Sequence, residues 1–232
     1  MVRFLPPLFA RNRLKCPFVL MDSCESRRLF PVGNLASNQA LRGVCAMAEH
    51  VCPWWIGYLL ASPVRRWMTE RPESLLGPYV REGMTVLEPG PGMGFFTLPL
   101  ARMVGPSGRV VAVDIQAKML ASLEQRAQKA GLRDRVDARK AASNSLKIGD
   151  WNGRIDFVLA FAVVHETPSA EAFFREVSAA LKPGGVVFFA EPSGHVKQAA
   201  FEKEIEAARQ AGLEVEGHPR VRRSHAAVLR KV

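Results

Sequence analysis

The chain has 232 residues, 48% of them hydrophobic and 23% charged, with a net charge of +10 at neutral pH. That length builds one well-buried domain and falls short of two. No apolar run approaches the ~20 residues of a membrane-spanning helix; the longest, Phe157 to Val164, is strand-sized, which argues against a membrane partner. The positive charge is concentrated in the tails. Residues 1–46 hold seven Lys/Arg against two Asp/Glu, and Arg220, Arg222, Arg223, Arg230 and Lys231 crowd the C-terminal end. A near-neutral centre disfavours phosphate-backbone binding, and a nucleic-acid partner stays open only through that C-terminal cluster.

Residues 1–46 are interrupted by Pro6, Pro7, Pro17, Pro31 and Gly33 and hold no acidic residue before Asp22. They read as a basic, disordered extension or a misassigned start, with the functional domain expected over 47–232. Cys16, Cys24, Cys45 and Cys52 fit no paired CxxC zinc pattern, so reduced thiols in a cytoplasmic protein and no metal site are expected. From Met47, Pro53 opens an aromatic-rich helix over 54–60, and a second helical stretch carries Arg65, Trp67 and Met68. Residues 47–80 are thus expected to form a helical lid or cap, or a pair of helices packed on the core.

Strands and helices then alternate. Thr85 to Leu87 reads as a strand, Val110 to Val113 as the next, and Gln116 to Ala130 as a helix closed by Gly131. A weaker strand over 136–139 follows, then a central strand from Ile155 to Val164. A helix over 169–181 ends at Lys182-Pro183-Gly184-Gly185, before a strand from Val186 to Ala190. A long helix within 193–211 precedes Gly212. Such alternation means βαβ units and a Rossmann-like, doubly wound α/β sheet with helices on both faces.

Val86-Leu87-Glu88-Pro89-Gly90-Pro91-Gly92-Met93-Gly94 leaves a strand and enters a helix, the setting of a nucleotide loop. Gly90, Gly92 and Gly94 remove side chains where the backbone turns sharply and a ligand approaches, and the helix beyond presents free N–H groups. Asp114 ends the next strand, 20 residues past Gly94, where a carboxylate accepts both hydroxyl protons of a ribose. A dinucleotide loop would place its third glycine at 95, which is Phe. The carboxylate of Glu88 would repel a pyrophosphate but suits an ammonium and a sulfonium, which favours S-adenosylmethionine over NAD.

With these residues in view, the chain resembles the class I S-adenosylmethionine-dependent methyltransferases from about Leu75 onward. Glu88 to Gly94 resembles the family's first motif and Val111 to Asp114 its second. Ile155 to Phe161 resembles the fourth-strand motif, and Leu181 to Gly185 the turn before the fifth strand. The resemblance implies seven strands with the last antiparallel, Leu213 to Glu216 and Ala226 to Leu229 forming the final hairpin. It implies S-adenosylmethionine as cofactor, held by Glu88 at the amino group, by Gly90, Gly92 and Gly94 along the methionine and ribose, by Asp114 at the ribose hydroxyls and by Ile115 on the adenine. Ala142, Ser143 and Phe161 would complete the site. An acidic residue common in the family near the adenine amino group is replaced here by the stretch Lys140 to Asn144, where Ser143 or Asn144 would substitute.

Methyl transfer from a sulfonium needs alignment above all, and a base only where the acceptor has a proton to lose. His165 and Glu166 stand where the family places acceptor-facing residues; His165 is a candidate base, or a histidine that merely ties down a strand end. Glu191 and His195 are weaker candidates at the same rim. The Asn/Asp-Pro-Pro-aromatic motif of exocyclic base methylation is replaced by Ala162 to Glu166. No cysteine lies near the four motifs to hold a metalloid. A small-molecule acceptor is therefore expected, with an RNA methyltransferase or a non-catalytic cofactor-binding protein as the alternatives. Oligomeric state is not legible in the sequence.

Overall fold

The structure is a computed structural model and describes residues 71–232; the expectations for residues 1–46 and for the helical stretches over 47–70 lie outside the described residues. Seven strands, β1 (Thr85–Pro89), β2 (Arg109–Asp114), β3 (Val136–Lys140), β4 (Ile155–Phe161), β5 (Leu181–Pro192), β6 (Leu213–Gly217) and β7 (Ser224–Lys231), alternate with helices. The helices are α1 (Pro72–Leu76), α2 (Thr97–Met103), α3 (Ala117–Lys129), α4 (Ala170–Ala180) and α5 (Gln198–Gln210). The sheet order is β3-β2-β1-β4-β5-β7-β6. Strands β1 to β5 pair in parallel, and β7 runs antiparallel to both β5 and β6.

Alternating strand residues feed two cores. Leu87, Val111, Val158, Val187 and Leu229 join Phe173 and Phe174 of α4 and Phe201 and Ile205 of α5 on one face. Their strand neighbours Val86, Val110, Phe157, Phe188 and Val228 join Leu76 of α1, Leu100 of α2 and Leu123 of α3 on the other. Each fully buried side chain of this size contributes roughly 1.5–3 kcal/mol, and burial on both faces explains why β4 reads as an unbroken apolar run. Tyr79, just past α1, stacks on Phe157 and leans on Phe188, with ring centroids 6.0 and 5.6 Å away. Asp156 links three strands, accepting from the Thr85 N–H at 2.8 Å and from Lys182 Nζ at 2.5 Å.

Two boundaries differ from the sequence expectation. The fourth strand stops at Phe161 and not at Val164. Ala162 adopts φ +56° while its N–H donates to Ala190, and Val164–Glu166 form a single 3-10 turn. Val164 is buried although it lies outside the strand, so hydropathy alone could not separate it from β4. Lys182 to Gly185 are not a turn before β5. They lie within it, bulging from the ladder between the pairs Ile155–Leu181 and Phe157–Val186.

The strand order reverses at β1, where β2 and β4 lie on opposite sides. Connections leaving β1 and β4 depart to opposite faces there, opening a crevice at the carboxyl ends of the strands.

Helix α4 is held at its start by Ser169, whose Oγ accepts from the Ala172 N–H at 3.1 Å. Ser169→Ala is expected to cost about 1 kcal/mol, lowering the thermal midpoint by about 2–4 °C. Scanning calorimetry checks this, and an unchanged midpoint would show that the cap adds nothing.

Candidate active site

The glycine loop between β1 and α2 threads a space that excludes side chains. Gly90 has φ +67° and donates its N–H to Val113 O at 2.8 Å; a Cβ there would lie 2.9 Å from Val163 Cγ2. At Gly94, φ +86°, a Cβ would come within 2.5 Å of Leu123 Cδ1. At Gly92 a Cβ would meet nothing within 4 Å, so that backbone faces open space. Three contacts fix the loop from outside. Arg126 of α3 donates to Met93 O at 2.6 Å, and Asp114 accepts from the Gly92 N–H at 3.3 Å and from the Gln116 N–H at 2.8 Å. Asp114 therefore fastens the loop as well as facing the crevice.

The crevice is lined by Glu88, Gly90, Gly92, Asp114, Ile115, Ala142, Ser143, Phe161 and Glu166 among others. Gly94 and Asn144 are not among the lining residues; Gly94 makes room for Leu123. Sequence reasoning missed Phe95, Phe96, Met119, Leu146 and Val163, which supply apolar wall. Phe95 and Phe96 lie beside the motif and were legible in principle, whereas Met119 and Leu146 reach the crevice only through folding. Ile115 is 39% exposed, one of two large hydrophobic residues left open among the described residues.

The electrostatics are those of a cation site. Glu88 is buried with the Thr97 side chain beside it, which favours its charged form, and its Oε2 is not otherwise satisfied. Burial, with the Asp114 charge adding to it, pushes the Glu88 carboxyl up to about 8. Burial also raises Asp114, against the backbone N–H groups that favour its charged form. A carboxyl raised by burial is readily ionised by a cation placed beside it.

A second cluster stands at the ends of β4 and β5. Glu191 is fully buried and accepts three hydrogen bonds, from Val164 N at 2.8 Å, from His165 N at 3.3 Å and from His165 Nδ1 at 2.5 Å. Three donors offset the desolvation of this carboxylate. Against an ionised carboxylate the ring would donate from Nδ1 and leave Nε2 as the free nitrogen. The Glu191 hydrogen bond raises the His165 pKa in spite of partial burial. His195 stacks on His165 with centroids 6.1 Å apart.

Glu204 of α5, which sequence reasoning passed over, is pushed up to about 7 by burial and by the Glu191 charge, and its Oε2 has no partner. Its environment depends on Glu191 and His165, both distant in sequence, so no local pattern announces it. Among the described residues no three His, Cys, Asp or Glu side chains are arranged to hold a metal ion. Of the two predicted catalytic residues, Glu166 lines the crevice and is raised by burial, while His165 does not line it and belongs to the Glu191 cluster.

A family model described as a methyltransferase domain matches residues 80–219, more than half of the chain. Over 165 residues the chain is 38% identical to a ubiquinone biosynthesis O-methyltransferase of Paramagnetospirillum magneticum, covering 65% of this chain and 61% of that protein. Over 124 residues it is 32% identical to an arsenite methyltransferase of Aquipseudomonas alcaligenes, covering 50% of this chain and 35% of that protein. The chain thus spans less than two thirds of the length of either relative. A crystal structure of a SAM-dependent methyltransferase from Aquifex aeolicus superposes with a TM-score of 0.70 at 25% identity, covering 78% of this chain and all of that one.

The raised Glu88 carboxyl makes a prediction for stability. Its folded pKa of about 8 exceeds the ordinary carboxyl value, so its contribution is fully present below about pH 4.3 and is lost as pH rises through about 8. Glu88→Gln is expected to match the parent near pH 5. At pH 8.5 it should be more stable by about 2 kcal/mol, or about 4–8 °C in thermal midpoint. Parallel melts at the two pH values check this; a variant less stable at both would show that Glu88 is paired in solution.

Proposed function

The chain belongs to the class I S-adenosylmethionine-dependent methyltransferase family, and from that premise we propose that it transfers the methyl group of S-adenosylmethionine to a small-molecule acceptor, with His165 taking the acceptor's proton. The observation that carries the cofactor site is the buried Glu88 carboxyl beside a glycine loop with one open face. That constellation fits an amino-acid ammonium and would repel a pyrophosphate. Small acceptors are supported by the relatives, one named for ubiquinone biosynthesis and the other for arsenite.

When bound, S-adenosylmethionine supplies a methyl group already activated by the adjoining sulfonium, so the protein's task is alignment and exclusion of water. Glu88 gives up its proton and holds the ammonium. Gly90 and Gly92 let the ligand approach the backbone, and Asp114 accepts the ribose hydroxyls while still fastening the loop. Ile115, Ala142 and Ser143 would hold the adenine, with Phe161 completing the apolar wall. His165 Nε2 accepts a proton from the acceptor, and the cation formed is stabilised by Glu191. Glu166, between His165 and the crevice in sequence and facing the crevice, orients the acceptor.

Among the described residues no helix is long and apolar enough to cross a membrane. Residues 71–232 contain no cysteine, so the fold closes without disulfides, which supports placing the protein in the cytoplasm.

Calorimetric titration with S-adenosylhomocysteine tests the cofactor site. Binding is expected to strengthen as pH rises toward about 8, with proton release visible as a dependence on buffer ionisation enthalpy. Asp114→Ala should weaken it tenfold or more, about 1.4 kcal/mol. No binding of either S-adenosylhomocysteine or S-adenosylmethionine overturns the reading. Once an acceptor is found, His165→Gln should lower kcat by about 10²–10⁴ and leave S-adenosylhomocysteine affinity unchanged. The hydrogen bond from Glu191 raises the His165 pKa, so Glu191→Gln should move the acid limb of the kcat/KM profile to lower pH. An unmoved limb would remove His165 from the proton transfer.

A further inference from the structure

We propose that a second cleft, between the start of α5 and the turn joining β6 to β7, binds an anionic group carried by the methyl acceptor, a carboxylate or a phosphate. Its wall includes Gln198, Phe201, His218, Arg220, Arg222 and His225, and no carboxylate lines it. Arg133, Arg139, Arg209 and Arg230 are each paired with an acidic side chain. Arg220 and Arg222, by contrast, make no ion pair or hydrogen bond among the described residues. Two uncompensated guanidinium groups on one concave wall make a recognition surface for a small oxyanion, with His225 beside them and His218 engaged through Nδ1 by the Ala226 carbonyl at 3.1 Å.

The turn is built to hold that shape. Arg223 sits at φ +58°, a conformation that costs a non-glycine residue about 1–2 kcal/mol. It is held there by the Val221–Ser224 bridge and by its carbonyl, which accepts from the Ser193 N–H at 3.0 Å. The cleft also opens on the reactive edge of the sheet. In the β5–β7 ladder His225 is the register partner of Glu191, and Ser224 that of Pro192. The segment that begins at Ser193 carries His195, whose ring stacks on His165. Phe201, with its ring 5.6 Å from that of His225, gives the cleft an apolar floor. An acceptor whose reacting atom meets His165 would reach the arginines by extending past this segment, one strand across the sheet. The inference rests on the proposed acceptor side of the methyl-transfer site.

Its charge pattern fits one compact anion better than a nucleic-acid strand. Farther along the hairpin the positives are already used: Arg230 pairs with Glu216, and Lys231 donates to the Ser178 and Leu181 carbonyls. The exposed positives do not continue as the stripe that successive phosphodiesters require.

Inorganic phosphate titrated into the full chain tests the cleft, followed by the imidazole NMR signals of His218 and His225, assigned with His218→Gln and His225→Gln. Saturable shifts at both are expected. The double variant Arg220→Ser with Arg222→Ser should raise the phosphate dissociation constant tenfold or more and leave S-adenosylhomocysteine affinity unchanged. Absence of saturable shifts, or equal shifts in the double variant, overturns the proposal. So would a short single-stranded RNA that displaces phosphate with a steep salt dependence, since it would assign the surface to nucleic acid. Failure of the parent to bind S-adenosylhomocysteine would overturn the methyl-transfer reading and with it the assignment of the anion to a methyl acceptor, while the phosphate titration would still decide whether the cleft is an anion site.

Discussion

The turn leaving β1 has no room for a side chain at Gly90 or Gly94, and the site is organised around that constraint. Val163, just past β4, fills the space a Cβ on Gly90 would need, and Leu123 of α3 fills the space at Gly94. The loop can pass between these two only as glycine, and passing there brings the end of β1, the end of β2 and the turn after β4 to one crevice. Val163 is placed in turn by the kink at Ala162, whose N–H is tied to β5. Asp114 and Arg126 grip the loop from β2 and α3. The crevice is thus shaped by packing from several elements and lined with backbone.

Within that frame the carboxyl groups are treated in opposite ways. Glu191 is fully buried yet satisfied by three N–H donors, and it spends that position holding the tautomer and basicity of His165. Glu88 and Glu204 are burdened by burial, and each keeps an oxygen without a partner. Such groups weaken a fold unless something arrives to compensate them. Stability given up at an unpaired carboxyl is recoverable only on binding, which is the usual relation between a site and its scaffold.

The sites also divide along the sheet. The crevice at the β1–β2–β4 ends is acidic, the cluster at the β4–β5 ends is an acid–base pair, and the β6–β7 turn is basic. That gradient runs one strand at a time along a single edge, because a parallel sheet delivers every strand's carboxyl end to the same side. The reversed β7 brings its N-terminal residues, Ser224 and His225, to that edge as well.

Much of this was legible in order along the chain. Periodic apolar runs, Gly131 and Gly212 after helices, and the Glu88 to Gly94 loop with Asp114 behind it are local patterns. Their physics acts within a few residues, so the alternating α/β class, the glycine loop and the carboxylate that fastens it could be read directly. Tertiary structure decided what depends on distant partners. It ended β4 at Phe161, where Ala162 turns to φ +56°, and it packed Leu123 against Gly94. It separated His165 from Glu166 by giving the first a buried carboxylate 26 residues away. It also brought Glu204 beneath that pair and set Arg220 and Arg222 in a wall near them. Sequence by itself determined which residues could bear charge or turn the backbone; only the folded chain determined which charges were left without a partner, because pairing and burial are properties of neighbours that the chain brings together from far apart.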